Sequence, residues 1–215
     1  MSKKKENQFY QKLNTVSDWI LRIILINFLM IICSLPIVTL YPAIVAGYKM
    51  YTNYLDKREV PIFKGYFEAF KENFGDKMSM GLFLAFGLFL GILNLTIYSD
   101  YLEINPNVFS VIGYYVMIIL IILIAFVSVF TLPLMVVYPK TSFSLMLKFA
   151  FFLSGKYIFR TILAILIALI PIAMFLTPIT MVLFFFVGLS APTVLYALLL
   201  KPVKQFIISI AEEKE

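Results

Sequence analysis

The sequence predicts an all-α, polytopic transmembrane helical bundle. Hydrophobic residues make up 62% of the 215 residues and the mean hydropathy is +0.95, whereas soluble domains are about half apolar. Long apolar stretches without a carboxylate cover residues 78–97, 109–138, 157–174 and 181–200. A spanning helix needs about 20 apolar residues, and a bilayer offers no partner to an open backbone. We therefore expect a single integral membrane domain over residues 1–215.

The first predicted span covers residues 16–35 and ends at Pro36. Three lysines at positions 3–5 precede it, as in a signal peptide, but no small-residue cleavage site follows. The apolar run is also longer than a typical signal core. We therefore interpret it as a retained helix.

A turn at residues 36–42 and a short helix at 43–55 follow the first span. Lys49 and Asp56 fall on one face of this helix and apolar residues on the other, so it either returns through the bilayer or lies at its surface. Residues 56–77 are the longest polar run. Phenylalanines at helical spacing predict an amphipathic surface helix within it; they are Phe63, Phe67, Phe70 and Phe74.

The remaining spans are the four long apolar stretches. Pro171, Pro178 and Pro192 lie within or beside the last two of these and predict kinks or breaks there.

Basic residues predict the orientation of the chain. All 18 lysines and arginines lie before residue 78, within 140–160 or from residue 201 onward, whereas the loop at 98–107 has two carboxylates and no basic residue. Cytoplasmic loops are enriched in Lys and Arg. We therefore expect this loop outside and the carboxy terminus in the cytoplasm.

The two basic stretches before residue 78 decide the number of crossings. If both are cytoplasmic, the sequence predicts six crossings with a short second helix. The alternative is five crossings plus interfacial amphipathic helices, with the amino terminus outside. Burying Lys49 in the bilayer costs roughly 2.5–3.5 kcal/mol, which favours the alternative. A sequence similarity between residues 34–42 and 131–139, with Leu, Pro, Tyr and Pro in the same positions, also favours it. Four lysines before the first span favour six crossings.

Few polar residues lie within the predicted spans. The candidates for a polar cavity are Asn27, Tyr41, Lys49 and Asn94. Such side chains either form interhelical hydrogen bonds or line a ligand site. At the start of the first span, Asp18 and Arg22 lie one helical turn apart, a spacing that predicts an ion pair.

Small residues in the stretch 78–97 predict a close helix contact. Gly87 and Gly91 form a GxxxG element, which Gly81 and Ala85 extend. This spacing lets another helix approach closely in lipid. That helix belongs either to the same bundle or to another subunit.

Side chains suited to catalysis are scarce. The chain has no histidine and a single cysteine, Cys33, which excludes an intramolecular disulfide and any His-based or Cys-based metal site. The four long stretches also lack the carboxylates of a proton relay. We expect no enzymatic activity, no cofactor and no nucleic-acid partner, because the sequence has no motif for catalysis, for cofactor binding or for nucleic-acid binding.

The first third of the chain resembles a known family. A motif between the first two predicted helices contains Leu35, Pro36, Thr39 and Pro42. Together with Asn27 and residues 66–74, and with residues 132–134 further on, it is similar to the YesL-like family of uncharacterised bacterial integral membrane proteins. One departure is Leu40, where the family tends to have glycine. The resemblance implies a plasma-membrane protein whose relatives often accompany carbohydrate uptake and breakdown systems, and it implies no catalytic or binding residues.

Two functions are compatible with these observations. We expect an accessory or regulatory membrane subunit associated with carbohydrate uptake, in contact with the bilayer and with an importer subunit or a second copy of the chain. The alternative is a small stand-alone transporter or ligand-binding membrane protein. A transporter needs a polar cavity near the bilayer midplane, whereas an accessory subunit can have a closed core.

Overall fold

The computed structural model describes residues 2–104 and 107–212. These residues form helices joined by short turns and contain no strand, so the predicted all-α bundle is confirmed. The described helices are α1 (Ser2–Cys33), α2 (Leu40–Leu55), α3 (Ile62–Lys71), α4 (Phe74–Ile104), α5 (Val108–Val137), α6 (Phe143–Lys156), α7 (Ile158–Ala168), α8 (Ile170–Ala173), α9 (Pro178–Val187), α10 (Ser190–Leu199) and α11 (Lys201–Glu212).

Between three and five membrane crossings fit the lengths and compositions of the described helices. Residues Leu13–Cys33 of α1, all of α4 and all of α5 are each long and apolar enough to cross. Two bent pairs also qualify if each counts as one span: α6 with α7–α8, bent by 105°, and α9 with α10, bent by 62°. The predicted short crossing, α2, has 16 residues and a length of about 24 Å, and it is shorter than the 18 residues required of a candidate span.

Prolines mark the starts of the late helices. Pro171, Pro178 and Pro192 each lie in the first turn of a helix, where a backbone N–H has no intrahelical partner and its loss costs little. The stretch 181–200, predicted as one span, is therefore two helices with a break at residues 188–189.

Internal contacts divide the chain into two compact units. The first contains the residues up to 71 together with 168–198, and the second contains 72–167 together with the residues from 199 onward.

In the first unit, α1 and α2 form an antiparallel hairpin, as the sequence predicts. Trp19 packs edge-on against Tyr54, with ring centroids 6.4 Å apart. At the other end of the hairpin, Met30 contacts Gly47 so closely that a Cβ there would lie 2.7 Å from its Sδ. Ten of the 16 residues of α2 are buried. The helix is therefore a core element of its unit.

In the second unit, α4 and α5 form a long antiparallel pair. Gly91 faces Ile121, and Gly87 faces Ile124 one turn away. α5 continues through Pro133 without interruption. α11 packs on the end of α5, where the Tyr138 hydroxyl donates to the carbonyl of Ile207 at 3.3 Å.

The two stretches that echo each other in sequence have different structures. Residues 34–42 end α1, form a 3-10 helix at Ile37–Thr39 and begin α2. The second copy instead continues α5 through residue 137, and its residues 131–135 are buried. The shared letters therefore do not indicate a shared conformation.

Candidate functional site

The first unit is organised around the side-chain amide of Asn27, which is fully buried. Its Nδ2 donates to the carbonyls of Phe184 at 3.1 Å and Phe185 at 2.8 Å. Its Oδ1 accepts the backbone N–H groups of Leu189 and Ser190, both at 2.9 Å. An asparagine amide has two donor hydrogens and two acceptor lone pairs, so all of its hydrogen-bonding positions are used.

These bonds join the two sides of the break between α9 and α10. Helix ends leave backbone carbonyls and N–H groups without intrahelical partners. Asn27 supplies partners for carbonyls at the end of α9 and for N–H groups at the start of α10. The carbonyl of Leu189, just before α10, accepts from the Thr193 hydroxyl at 2.6 Å and from the Thr193 N–H at 3.3 Å. The interruption is therefore hydrogen-bonded inside a protein core, the setting in which a membrane helix tolerates one.

Gly188 allows the break to be compact. A Cβ at this position would lie 2.2 Å from Cδ2 of Phe184 and 2.7 Å from the Phe184 carbonyl oxygen. Its φ is −60°, so the requirement for glycine here is steric and not conformational.

The polar cluster extends from the break to α2. Tyr51, fully buried, donates its hydroxyl hydrogen to Ser190 Oγ at 2.7 Å. Ser190 Oγ also lies 4.0 Å from Met30 Sδ. We name the set of Asn27, Tyr51, Gly188 and Ser190 the Asn27 cluster. It connects α1, α2 and the α9–α10 break through polar contacts in a largely apolar core.

The residues predicted to line a polar cavity with Asn27 are placed differently. Tyr41 and Lys49 are half-buried on α2, and neither bonds to Asn27, whose positions are all used. Asn94 belongs to the second unit and donates to Leu90 O of its own helix at 2.8 Å. The described contacts therefore do not assemble these residues around Asn27.

Arg22 has a different partner from the one the sequence predicts. Its Nη2 donates to Glu59 Oε2 at 2.9 Å, and its guanidinium lies 4.2 Å from the ring centroid of Tyr54. The expected ion pair with Asp18 is wrong, because the α1–α2 hairpin brings the connection after α2 back to the level of Arg22. Tyr54 completes this corner by donating its hydroxyl to Val60 O at 3.0 Å.

The small-residue face of α4 is occupied within the same chain. A Cβ at Gly91 would lie 2.7 Å from Ile121, and one at Gly87 would lie 3.1 Å from Ile124. Gly81 is partly exposed and Ala85 is exposed. α5 therefore fills the GxxxG position, and contact of this face with another subunit loses its basis.

The turn motif between α1 and α2 combines internal hydrogen bonds with an apolar surface. Thr39 donates its hydroxyl to Pro36 O at 2.7 Å and also lies within hydrogen-bonding distance of Cys33 O. Pro42 is buried at the start of α2. Leu35 and Ile37 remain 74% and 85% exposed. This apolar surface at the end of a candidate span is suited to contact with lipid.

Helix α3 closes the first unit with a face that differs from its phenylalanine stripe. Its buried residues are Gly65, Tyr66 and Ala69, while Phe63 and Phe67 are 57% and 41% exposed. Tyr66 donates to Ala43 O at 3.2 Å. Burial raises the pKa of the Tyr66 hydroxyl, so it keeps its hydrogen for this bond. The exposed phenylalanines are suited to a membrane surface, as the amphipathic pattern predicts.

Several residues of the site were missed from the sequence. Tyr51, Ser190 and Gly188 are common residue types in apolar helices, and nothing in their spacing marks them as a group. Pro192 is the sequence signal for the break, because a proline four residues after a glycine favours a helix start between the two. Across residues 2–104 and 107–212, no three His, Cys, Asp or Glu side chains lie close enough together to hold a metal ion.

The matched family covers the part of the chain that contains Asn27 and the turn motif. Residues 23–95 match the model of a family described as protein of unknown function, DUF624. This stretch resembles DUF624. The match confirms a family of unknown function, and the resemblance to the YesL-like family stays a prediction. No curated protein and no solved structure matches the chain.

The DUF624 match ends within α4, so it includes only one side of the Asn27 cluster. Asn27 and Tyr51 lie inside the matched residues, whereas Gly188 and Ser190 lie outside them. In this chain the α9–α10 break therefore completes the core of the DUF624-like segment.

Proposed function

We propose that this chain is a non-catalytic accessory or regulatory membrane subunit of a carbohydrate uptake system. The observation that carries the proposal is the saturation of the Asn27 amide. Asn27 is the buried polar side chain nearest the middle of the first candidate span, and it has no hydrogen-bonding position left for a substrate. Transporters direct such groups into a cavity. A core closed by its own polar groups suits a structural or regulatory subunit.

The carbohydrate part of the proposal is supported by the resemblance of the residues around the turn motif to the YesL-like family. Its members often accompany carbohydrate uptake systems. A location in a bacterial plasma membrane is supported by the same resemblance, and a cytoplasmic carboxy terminus by the distribution of basic residues.

We place the contact with a partner subunit on α9. All ten residues of this helix remain at least partly exposed, including Ile179 at 77% and Val182 at 60%. The helix is held to α1 by the Asn27 bonds and by an edge-on contact of Phe186 with Phe28 at 6.1 Å. A broad apolar face on a firmly attached helix is a surface that another membrane helix can cover.

The second candidate, a stand-alone ligand-binding membrane protein, is favoured by one observation. The hydroxyl of Tyr48 is fully buried and has no hydrogen-bond partner among the described residues. Buried polar groups normally have a partner, so a small polar ligand reaching α2 would satisfy it.

Affinity purification in mild detergent tests the primary proposal. The tagged chain is recovered from its native membrane and the bound proteins are identified by mass spectrometry. We expect a carbohydrate importer subunit in stoichiometric amount. Recovery of the chain alone would contradict the proposal, and sugar-dependent thermal stabilisation that is lost in Tyr48→Phe would then support the second candidate.

A matched pair of variants locates the partner contact. Val182→Trp adds bulk to the exposed face of α9, and Leu120→Trp adds similar bulk to an exposed position of α5. We expect the first to release the importer subunit and the second to retain it. Equal retention by both variants would exclude α9 as the contact.

A further inference from the structure

An open groove of about 450 Å³ lies at the junction of α6 and α7 in the second unit. Aromatic and aliphatic side chains line most of it, namely Phe126, Phe151, Phe152 and Ile158. Ser154, Gly155 and Lys156 complete the lining. The volume is within the range of small-ligand sites, and the lining suits an apolar chain.

α6 packs on α5 and also contacts α4. At its start, Phe143 packs edge-on against Phe83 of α4, with centroids 5.1 Å apart. Near its other end, Phe152 lines the groove with Phe126 of α5. The groove therefore lies between α5, the last turns of α6 and the start of α7.

The junction of α6 and α7 combines a sharp bend with exposed basic residues. α6 and the helix that follows it meet at 105°. α6 also has exposed lysines at 148 and 156. Exposed lysines beside apolar side chains are typical of helices at the interface between headgroups and acyl chains.

Lys156 supplies a fixed positive charge at the groove. Its Nζ lies 3.2 Å from the ring centroid of Phe206 and 5.6 Å from that of Tyr157. The two rings pack edge-on at 6.1 Å. These contacts order the ammonium group, and residues 104–211, which include α6 and α7, contain no aspartate or glutamate.

We propose that the groove binds one anionic phospholipid of the surrounding bilayer. The phosphate of the headgroup pairs with Lys156, and an acyl chain lies along the phenylalanines of the groove. Charge complementarity selects an anionic lipid, because the site combines a cation with a segment that is free of acidic residues. The apolar lining selects an intact lipid over a soluble phosphate. This site is independent of the Asn27 cluster and of any importer subunit.

Native mass spectrometry of the full-length protein in a non-ionic detergent tests the site. The probes are phosphatidylglycerol and phosphatidylcholine with the same acyl chains. We expect one phosphatidylglycerol to bind more tightly than phosphatidylcholine, and Lys156→Met to weaken phosphatidylglycerol binding roughly fivefold, the effect of one lysine near an anionic surface. Lys156→Arg should retain the preference.

Two matched variants separate a defined site from general attraction. Lys148→Met removes the same charge from the same helix outside the groove, and it should leave the preference unchanged. Gly155→Leu fills the groove, and because nothing lies within 4 Å of a Cβ at this position it should not disturb the fold. We expect it to weaken both lipids roughly tenfold, as for the loss of about two buried methylenes.

Three results would overturn the proposal. Equal losses in Lys148→Met and Lys156→Met would indicate surface electrostatics alone. Unchanged lipid binding in Gly155→Leu would show that the acyl chain does not lie in the groove. Competition by soluble glycerophosphoglycerol as strong as that by the intact lipid would show that the site does not recognise a lipid.

Discussion

The Oδ1 atom of Asn27 accepts the backbone N–H of Ser190 at 2.9 Å, across 163 positions of the chain. One side chain of the first candidate span thereby fixes the start of α10. The bond replaces an intrahelical one that the break at residues 188–189 removes. The core of the first unit consequently depends on a polar contact between its earliest and its latest segments.

Asn27→Leu is expected to destabilise the protein strongly. The substitution keeps the branching at Cγ but leaves the N–H groups of Leu189 and Ser190 without their acceptor. Unpaired buried groups cost about 1–3 kcal/mol each in water-soluble proteins, and interhelical hydrogen bonds in membranes average less. We expect a loss of about 2–4 kcal/mol in the free energy of unfolding. Thermal unfolding in detergent, followed by the reaction of Cys33 with a thiol-specific fluorophore, measures it.

Asn94→Leu is the matched control. Asn94 also lies in a candidate span, but among the described residues its amide donates only to the Leu90 carbonyl of the same helix. Its loss should change the free energy of unfolding by less than about 0.5 kcal/mol. Equal destabilisation by the two variants would mean that Asn27 does not hold the break.

Gly188→Ala tests the compactness of the break. The new Cβ would meet both the ring and the carbonyl oxygen of Phe184, and the carbonyl cannot move without losing its bond from Asn27. Overpacking of this kind costs typically about 1–3 kcal/mol. The melting temperature of Gly155→Ala is the comparison, because that Cβ meets open space and alanine favours a helix. A Gly188→Ala protein as stable as the Gly155→Ala protein would contradict the steric requirement.

The sequence predicts the helices, but it does not predict the contacts between residues that are far apart in the chain. Helix formation in residues 78–97 and 109–138 follows from apolar length, and the hairpin of residues 16–55 follows from charge and turn residues. These are local or compositional signals. Asn27 was recognised as a polar residue of interest, but its partners are backbone groups more than 150 positions away, and backbone groups carry no mark in a sequence.

Arg22 shows the same limit for side chains. Its i, i+4 neighbour Asp18 predicts an ion pair by spacing alone, whereas the hairpin supplies Glu59 and the ring of Tyr54. Spacing along one helix identifies only the partners on that helix. Tertiary packing brings residues from other elements within reach, and here it pairs Arg22 with a residue 37 positions away.

Arg22→Met should cost more than Glu59→Gln. The Glu59 side chain is 81% exposed, and exposed ion pairs contribute about 0–1 kcal/mol. The guanidinium also packs on Tyr54, a contact of about 0.5–2 kcal/mol. Chemical unfolding in mixed micelles should therefore rank Arg22→Met as less stable than Glu59→Gln, with Asp18→Asn equal to the parent. If Asp18→Asn were the most destabilised of the three, the local pair would be the dominant one.

Gly91→Ala should destabilise the α4–α5 pair, and a change in Ile121 should reverse part of the loss. The added Cβ would lie 2.7 Å from Cγ1 of Ile121. We expect a cost of about 1–3 kcal/mol. In the double variant with Ile121→Ala the new methyl occupies space that the isoleucine leaves, so the two costs should be less than additive. Strict additivity, or a change of oligomeric state on size-exclusion chromatography, would place the glycine face against another subunit.

The sidedness of the chain can be tested with single cysteines in a Cys33→Ser background. Asp100 and Lys140 are both exposed; Asp100 lies near the end of α4, beside the start of α5, and Lys140 follows the end of α5. A helix of 30 residues is about 45 Å long, so its ends lie on opposite sides of any bilayer it crosses. We expect an impermeant maleimide to label Asp100→Cys in intact cells and Lys140→Cys only after permeabilisation, because cytoplasmic loops are enriched in Lys and Arg. Labelling of Lys3→Cys only after permeabilisation would support six crossings. Labelling in intact cells would place the amino terminus outside and support five crossings.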